Sequence, residues 1–554
     1  MRLQHWFNSL IILAFLGVFA HAQTPTGIIQ GLVTDKTGAA VQGATITITK
    51  TTTNEERKTT TDAAGRFNIP FVEPGTYLVS ASATGFRRSE EQNVLVQVTE
   101  TRAINFVLEV GTVSQSIEVN ATTESLDVDT SSLGQTIQSQ TLLELPDNGR
   151  NPFDFATLVP GVTVSNNSTG NASTPHIGGS RNGNNEQEID GMTNILPENN
   201  VGNNESAYQP IEDSIQEENV TTSVPPAENG RFSGGIISLV TKSGGNTFHG
   251  SFFEFIQNQS LDALPFGAPG VANPNEKNAA AHQYQTGGTI GGPILHDRAF
   301  FFFDFEDSRA SAGQTSTYSV PNPAWFSGDF TSLYGSTTPM LFDPDTVTKN
   351  ASGVYERTPF MTNGEYNVLP PARISPVTQA ALAYFPKPNV AGAGTYNNYQ
   401  QTGSVPTDYW HFDSRVDVDV TKKWHSFLRY SELNQTGSTL NDYNNAASPG
   451  NYGGTYHTPD FSGSFNNTFT FTPTLLGEFR YGYSKQNYNR VPVGGNFDPG
   501  KLGFDSGFVS QSALEGEMFP HFGFGGNGSF SDLAHWAMRN TRKTRWRRVL
   551  TPAS

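Results

Sequence analysis

Three aspartates, Asp413, Asp417 and Asp419, lie at alternating positions of one short segment. Carboxylate oxygens grouped in this way could bind calcium, which prefers oxygen ligands. The same spacing also places acids on one face of a β-strand that borders water. Because that second explanation needs no ion, we predict no metal site.

Other chemical motifs are weak. Residues 523–528 fit the glycine pattern G-x-G-x-x-G, but they neither follow a clear strand nor open a helix, so a nucleotide site is not expected. The 11 histidines are scattered and the chain has no cysteine, which excludes disulfides and thiolate metal sites. We therefore predict no catalytic residues, no cofactor and no enzymatic activity.

Composition points to a β-rich chain. Of 554 residues, 35% are hydrophobic and only 15% are charged, whereas Gly (55), Phe (39) and Tyr (18) are abundant. These proportions favour β structure with long polar loops over a helical enzyme. The net charge of -17 argues against a nucleic-acid partner.

The N-terminus has the layout of a secretory signal peptide at residues 1–22. Arg2 and His5 precede an apolar run from Leu10 to Ala20, and cleavage is expected between Ala22 and Gln23. A membrane anchor is the alternative, but the run is too short to span a bilayer. Any later membrane span would have to be a β-barrel, since no other stretch reaches about 20 apolar residues.

Three regions follow the signal peptide. Residues 26–110 contain about seven short alternating segments, which predict a β-sandwich. Residues 111–126 are a polar connector. Residues 127–245 have short apolar pieces between Gly/Asn-rich loops, which suits a domain covered by something larger.

Residues 246–535 consist of roughly ten-residue segments of alternating character, the pattern of an antiparallel transmembrane β-barrel. We expect a long extracellular loop at about 310–409 and short periplasmic turns at 421–424 and 472–475. The predicted lumen-facing residues are Glu254, Asp304, Glu306, Asp413, Arg415, Asp417, Asp419, Glu478 and Arg480. The predicted lipid-facing or girdle residues are Phe301, Phe303, Phe305, Val416, Val418, Phe479, Tyr481 and Tyr483. A soluble sandwich strand is the alternative, but sandwiches seldom bury several charges.

Two resemblances support this division. Residues 26–110 resemble the carboxypeptidase-regulatory-like domain through the segments "GATITI", "PGTYLV" and "FVLEV"; that family has a prealbumin-like or Ig-like, carbohydrate-binding-like sandwich fold. The segments "LPDNGRNPFDFATLVPGV", "GSRNGNNEQEIDGM" and "FSGGIISLVTKSGGNTFHGSFFEF" resemble the plug and first barrel strand of TonB-dependent receptors, nearest to the Oar-like branch.

The resemblance implies a mainly β protein with a sandwich, a mixed α/β plug at 127–245 and the first part of a barrel. The residues of the plug signature are Arg150, Arg181, Asp190, Gly191, Glu228, Arg231, Gly234, Gly235, Thr241, Lys242 and Gly244. We expect some plug cations to pair with acids on the barrel's inner face. The candidate TonB box, which would bind TonB by strand addition, comprises Ser116, Ile117, Glu118, Val119, Asn120 and Ala121.

The implied partners are TonB with its inner-membrane motor complex, outer-membrane lipid and an unidentified extracellular ligand, with carbohydrate among the candidates. The implied location is a Gram-negative-type outer membrane, with the N-terminal domain in the periplasm. The implied role is energised uptake of an oligosaccharide, peptide or siderophore. The alternative is surface binding or a secretion-associated role without import.

The last residues, 536–554, are basic and lack the terminal aromatic strand expected of such barrels. About seven or eight barrel strands can be counted, whereas the family has 22. The expectation is therefore a frameshifted or truncated gene product, a non-functional fragment with an incomplete barrel. A split gene, an assembly fault or a basic binding arm are the alternatives.

Overall fold

The computed structural model describes most of the chain. The described residues are 26–98, 100–111, 116–120, 133–145, 149–165, 174–180, 184–195, 206–224, 232–261, 281–449, 454–472, 475–487, 489–515, 517–523, 531, 533 and 547–551. The predicted signal peptide, with Ala22 and Gln23, lies outside them, as do Ala121, Arg181, Glu228 and Arg231.

The N-terminal region is a two-sheet sandwich. Its strands are β1 (Gly27–Asp35), β2 (Thr45–Lys50), β3 (Glu56–Thr60), β4 (Arg66–Val72), β5 (Gly75–Ser82), β6 (Arg88–Val96), β7 (Thr101–Ala103) and β8 (Phe106–Leu108). Alternating residues such as Ile46, Ile48 and Val79 are buried between the sheets, while the threonines between them are partly exposed. Period-two alternation therefore builds one core from two half-buried sheets.

The connector adds one strand to this sandwich. Strand β9 (Ser116–Asn120), which contains most of the candidate TonB box, pairs in parallel with β6. It lies at the end of the sheet with strand order β3-β2-β5-β6-β9.

The plug is a small mixed domain. Its elements are β10 (Leu133–Gln138), α1 (Ser139–Glu144), a 3-10 helix (Pro152–Leu158), β11 (Val162–Ser165), β12 (Thr174–Ile177), β13 (Glu186–Ile189), β14 (Met192–Thr193), a 3-10 turn (Glu212–Ser214), β15 (Ile215–Ser223) and β16 (Ile236–Thr241). Five strands form a sheet in the order β10-β15-β16-β13-β14, with β13 and β16 parallel. Leu142, Phe153, Ile215 and Leu239 pack in its core.

The third region is a long antiparallel sheet. Its strands are β17 (His249–Asn258), β18 (His282–Leu295), β19 (Ala299–Tyr318), β24 (Tyr399–Thr421), β25 (Trp424–Ser438), β26 (Gly454–Thr472), β27 (Leu475–Gln486), β28 (Asn489–Pro492) and β29 (Arg547–Thr551). Neighbouring strands pair in chain order, with β28 beside β26. Among the described strands, β17 and β29 do not pair, so the sheet does not close on itself.

The predicted mainly β fold with an N-terminal Ig-like sandwich is confirmed, and the barrel-type sheet is not closed among the described residues. The boundaries predicted for the long loop are wrong, because β19 and β24 continue to pair as far as Tyr318 and Tyr399, leaving a connection of 319–398. Polar residues at 310–317 and 400–408 resembled a loop, but they extend the hairpin beyond its apolar part.

The connection is folded rather than extended. It contains 3-10 turns at Pro323–Ser327, Pro344–Thr346 and Pro371–Arg373, helices α2 (Thr331–Tyr334) and α3 (Pro376–Leu382), and hairpin strands β20 (Thr348–Lys349), β21 (Tyr355–Glu356), β22 (Met361–Thr362) and β23 (Glu365–Tyr366). A later loop adds a 3-10 turn (Pro499–Leu502) and α4 (Ser506–Glu515). Side chains from these loops and the strand ends share a buried aromatic cluster, here termed the outer-loop core: Val320, Ala381, Phe385, Tyr399, Tyr443, Ala447, Phe497, Leu502, Phe519 and Leu533.

Candidate functional site: the plug–barrel interface

The two faces of β19 have opposite chemistry. Asp304 and Glu306 are buried, with 0% and 2% exposure, whereas Phe303 and Phe305 are 39% and 41% exposed. Phe302 is buried on the same side as the acids. The acids therefore face the plug and the alternate phenylalanines face outward, as the period of a strand requires.

The same alternation continues across the sheet. Buried residues on the face that meets the plug include Asp413, Arg415, Asp417, Glu478 and Arg480. Outward positions carry the exposed Val416 and Phe479 and the partly exposed Phe301, Val418, Tyr481 and Tyr483. Asp419 is partly exposed near the turn at 422–423.

The prediction that Glu254 faces the lumen is wrong. Phe253 and Phe255 of β17 lie against the Arg150 guanidinium, and the Ser251 hydroxyl donates to Asp213 of the plug at 3.2 Å. Glu254 lies on the opposite face of β17, where it is exposed on the same side as Phe252. Phenylalanine occurs on both faces of β17, so the pattern does not show which face is buried. The prediction for Glu254 therefore depended on its charge alone.

Arg150 is a plug cation that reaches the barrel. Its guanidinium contacts Asp213 and lies 3.9 Å from Glu212 Oε2, both in the plug. It also lies 3.6 Å from Glu306 Oε2 of β19. The guanidinium stacks 4.6 and 4.2 Å from the ring centroids of Phe253 and Phe255, in an environment where it is 9% exposed. Such a planar cation can satisfy acids and aromatic rings together.

Asp190 is the reciprocal contact, an acid of the plug held by cations of the barrel. Its Oδ2 lies 2.9 Å from Arg429 Nε, and its Oδ1 lies 3.7 Å from Arg415 Nη1. Asp190 and Gly191 form the two-residue turn between β13 and β14, both with positive φ, of 51° and 69°. An Asp-Gly pair suits this turn, which presents the carboxylate at its tip.

Sequence reasoning missed Arg429. It alternates with Leu428 and Tyr430, which are exposed, and shares the inner face of β25 with the buried Ser431. The alternation rule that selected Arg415 on β24 would have selected Arg429 as well.

The remaining described signature residues serve local packing. The Lys242 ammonium donates to the Asp213 carbonyl at 2.8 Å, and burial lowers its pKa. The Thr241 hydroxyl contacts Asp190 at 3.0 Å, and Gly234 and Gly235 lie against Asn185 and Ile177 within the plug.

Gly244 is the signature glycine that touches the barrel, and Gly244→Ala should destabilise this junction. An added Cβ would lie 2.3 Å from the Phe301 carbonyl oxygen and 2.8 Å from that of Gly292. Because backbone cannot move aside cheaply, we expect a loss of about 1–3 kcal/mol in the free energy of unfolding, measured by urea titration. Gly394→Ala is the matched control, since its Cβ would meet nothing within 4 Å. Equal stability of the two variants would contradict this packing role.

A buried glutamate joins the plug to the sandwich. Glu217 Oε1 of β15 accepts a hydrogen bond from the Val98 amide at 2.6 Å. Burial raises the pKa of Glu217 from 4.5 to about 7.

This pKa predicts a pH dependence of stability. The folded carboxyl keeps its proton up to about pH 7, whereas the unfolded one releases it near 4.5, so its stabilisation is complete below about 4.5. About 3 kcal/mol is lost as the pH rises to about 7. In Glu217→Gln, the free energy of unfolding should no longer fall between pH 4.5 and about 7. Urea titrations at a series of pH values from 4.5 to 8 measure this. An unchanged slope in the variant would assign the dependence to other groups.

Among the described residues, no helix is both long and apolar enough to cross a membrane. The exposed aromatic face of the long sheet and its charged, plug-filled face together define an outer-membrane β-barrel protein with an internal plug. The family model described as "Outer membrane beta barrel domain" matches residues 240–547, and the chain belongs to that family. Residues 28–109 match the carboxypeptidase regulatory-like domain.

Among curated proteins, the chain is similar to the TonB-dependent transporter Oar of Myxococcus xanthus, at 25% identity over 313 residues. That alignment covers 54% of this chain and 28% of the relative. Solved structures that the chain matches include the siderophore receptor PirA of Acinetobacter baumannii (16% identity, 65% of this chain and 40% of that chain, TM-score 0.37). The outer membrane transporter YddB of Escherichia coli is another (11%, 66% and 40%, TM-score 0.39). The chain is therefore similar to an Oar-type TonB-dependent transporter, and its barrel domain is of the outer-membrane kind.

Proposed function

We propose that this chain serves energised, TonB-dependent uptake of a large or scarce ligand, with the plug gating the barrel and no enzymatic step. The ligand class is an oligosaccharide, a peptide or a siderophore. The plug–barrel ion pairs carry the proposal, because charged contacts around Asp190 and Arg150 hold the plug at a polar interface. Polar contacts can be exchanged for water when a plug moves, whereas a continuous apolar interface would resist wetting.

TonB is the partner expected to supply that movement from the periplasm. Strand β9, which holds five residues of the candidate box, lies at a sheet edge and follows the sandwich directly. An edge strand offers backbone donors and acceptors to an added strand. In the sequence, the candidate box lies between the sandwich and the plug, so a pull on it would be transmitted to the plug.

The proposal is tested by binding the periplasmic domain of TonB to the purified full chain, measured by calorimetry. Ile117→Pro removes a backbone donor and should weaken binding at least about tenfold, whereas Ile117→Val should leave it unchanged. Binding that survives Ile117→Pro would place the box elsewhere. No binding by the unmodified chain would reject TonB-dependent uptake.

Surface binding without import is a second candidate. The outer-loop core favours it, since it gives the loops a fixed shape that could hold a glycan or protein partner. The two functions are separated by ligand accumulation in cells with and without TonB. Uptake should disappear without TonB, whereas binding to the surface should persist.

A further inference from the structure

The sandwich meets the turn end of the barrel sheet at a cavity of about 440 Å³. Glu55 and Glu73 line it from the sandwich, and Asp419 and His425 line it from β24 and β25. The Asn54 side-chain amide donates to Asp297 Oδ1 at 3.0 Å nearby, which fixes the two regions against each other.

His425 is oriented within this cavity by a carboxylate. Its Nδ1 lies 2.8 Å from Asp419 Oδ1, so Nδ1 carries a proton and donates it to that oxygen. In the neutral ring, Nε2 then presents a lone pair. Nε2 is buried, with Glu73 Oε1 2.9 Å away and Asp417 Oδ1 3.9 Å away.

This arrangement resembles a general feature of metal-binding histidines. A ligating imidazole usually donates its other nitrogen's proton to a carboxylate, which fixes the tautomer and the ring orientation. Here Asp419 holds one nitrogen while the other faces two further carboxylates.

Four carboxylates surround His425, and two of them already have a cationic partner. Lys50 pairs with Glu73 Oε2 at 2.7 Å, which leaves Oε1 on the histidine side, and Arg415 pairs with Asp417 at 2.7 Å. Within the described part of the chain, Glu55 and Asp419 have no lysine or arginine at ion-pair distance. A divalent cation at His425 would add positive charge beside these two carboxylates, where they are partly shielded from water.

We propose that Nε2 of His425, Oε1 of Glu73 and an oxygen of Asp417 bind a zinc ion that ties the sandwich to the barrel. Their ligand atoms lie within 4.8 Å of one another. The separations from Nε2, 2.9 and 3.9 Å, bracket the roughly 3.3 Å between two ligands of a tetrahedral zinc. Mixed nitrogen and oxygen ligands favour zinc over calcium, which takes oxygen alone. Asp419 is the positioning residue, and Glu55 is close enough to contribute through a small rotation.

The test is zinc binding to the metal-stripped full chain in detergent, measured by calorimetry and by metal analysis after dialysis. One equivalent of zinc should bind to the unmodified chain. His425→Gln should abolish that equivalent, and Asp419→Asn should weaken it by about 10–100-fold while keeping the ligands. His457→Gln is the matched control, because His457 lies on the same sheet and its Nε2 contacts Asn434.

A folded His425→Gln variant that still binds one equivalent would overturn the proposal, as would no binding by the unmodified chain. If His425→Gln does not fold, the Asp419→Asn variant provides the test instead. Zinc affinity equal to that of the unmodified chain would contradict a site that needs Asp419 to orient His425. If zinc is not bound, the same groups act as a protonated imidazole bridging Glu73 and Asp419. Neither outcome depends on TonB or on uptake, so this test is independent of the proposed function.

Discussion

Replacing Asp190 with asparagine is expected to loosen the plug and to lower the stability of the folded chain. The side chain is 1% exposed and receives two barrel arginines, Arg429 at 2.9 Å and Arg415 at 3.7 Å. Asparagine keeps the left-handed turn geometry but removes the negative charge. Arg415 keeps Asp417 at 2.7 Å, whereas Arg429 is left with Asp413 at 3.9 Å. Breaking one side of a buried pair costs about 3–5 kcal/mol.

The measurement is urea unfolding of the purified chain, combined with protease cleavage within the plug. The variant should lose about 3 kcal/mol and be cleaved faster in residues 133–245. Asp345→Asn is the matched control, since its pair with Arg373 is at the surface and should contribute less than about 1 kcal/mol. A loss no larger than the control's would show that the arginines are satisfied without Asp190.

Replacing Arg150 with methionine should have an effect of similar size. The change keeps an apolar stem against Phe253 and Phe255 but leaves Glu212, Asp213 and Glu306 without their shared cation. We expect a loss of about 3–5 kcal/mol in the free energy of unfolding. Arg150→Lys should recover only part of it, because an ammonium cannot contact several acids and two rings as a planar guanidinium does.

Arg309→Met provides the comparison for Arg150, because Arg309 is exposed and pairs only with Asp307, at 3.1 Å, among its described ion pairs. Both variants are compared at low and high salt. The loss for Arg150→Met should change little with salt, since buried pairs are weakly screened. A strong salt dependence would mean that water reaches this contact.

Local periodicity was sufficient to predict the wall of the barrel. Apolar and charged residues alternate from Phe303 to Glu306 on β19 and from Arg415 to Asp419 on β24. The faces of Asp304, Phe305 and Asp417 therefore follow from position alone. On β17 phenylalanines occupy both faces, and only the plug, distant in sequence, decides which side is buried. That is why Glu254 was assigned to the wrong face.

Contacts between distant segments could not be predicted in this way. The glycine-rich signature indicated a plug, yet nothing in it specified that Asp190 would receive cations from β24 and β25. The residues around His425 also come from distant parts of the sequence, because Glu73 belongs to the sandwich and Asp417 to the barrel. The spacing of these residues in the sequence therefore does not match a metal-binding motif, although the folded chain brings their ligand atoms together.

The outer-loop core has a consequence for how this surface can diversify. Its aromatic side chains hold the loops together independently of the plug contacts, while residues such as Tyr355 and Met361 remain exposed. Substitutions at such exposed positions leave the aromatic cluster intact and typically change stability by less than about 0.5 kcal/mol. The exposed positions of these loops can therefore change in sequence while the aromatic cluster and the plug contacts beneath it keep their structure.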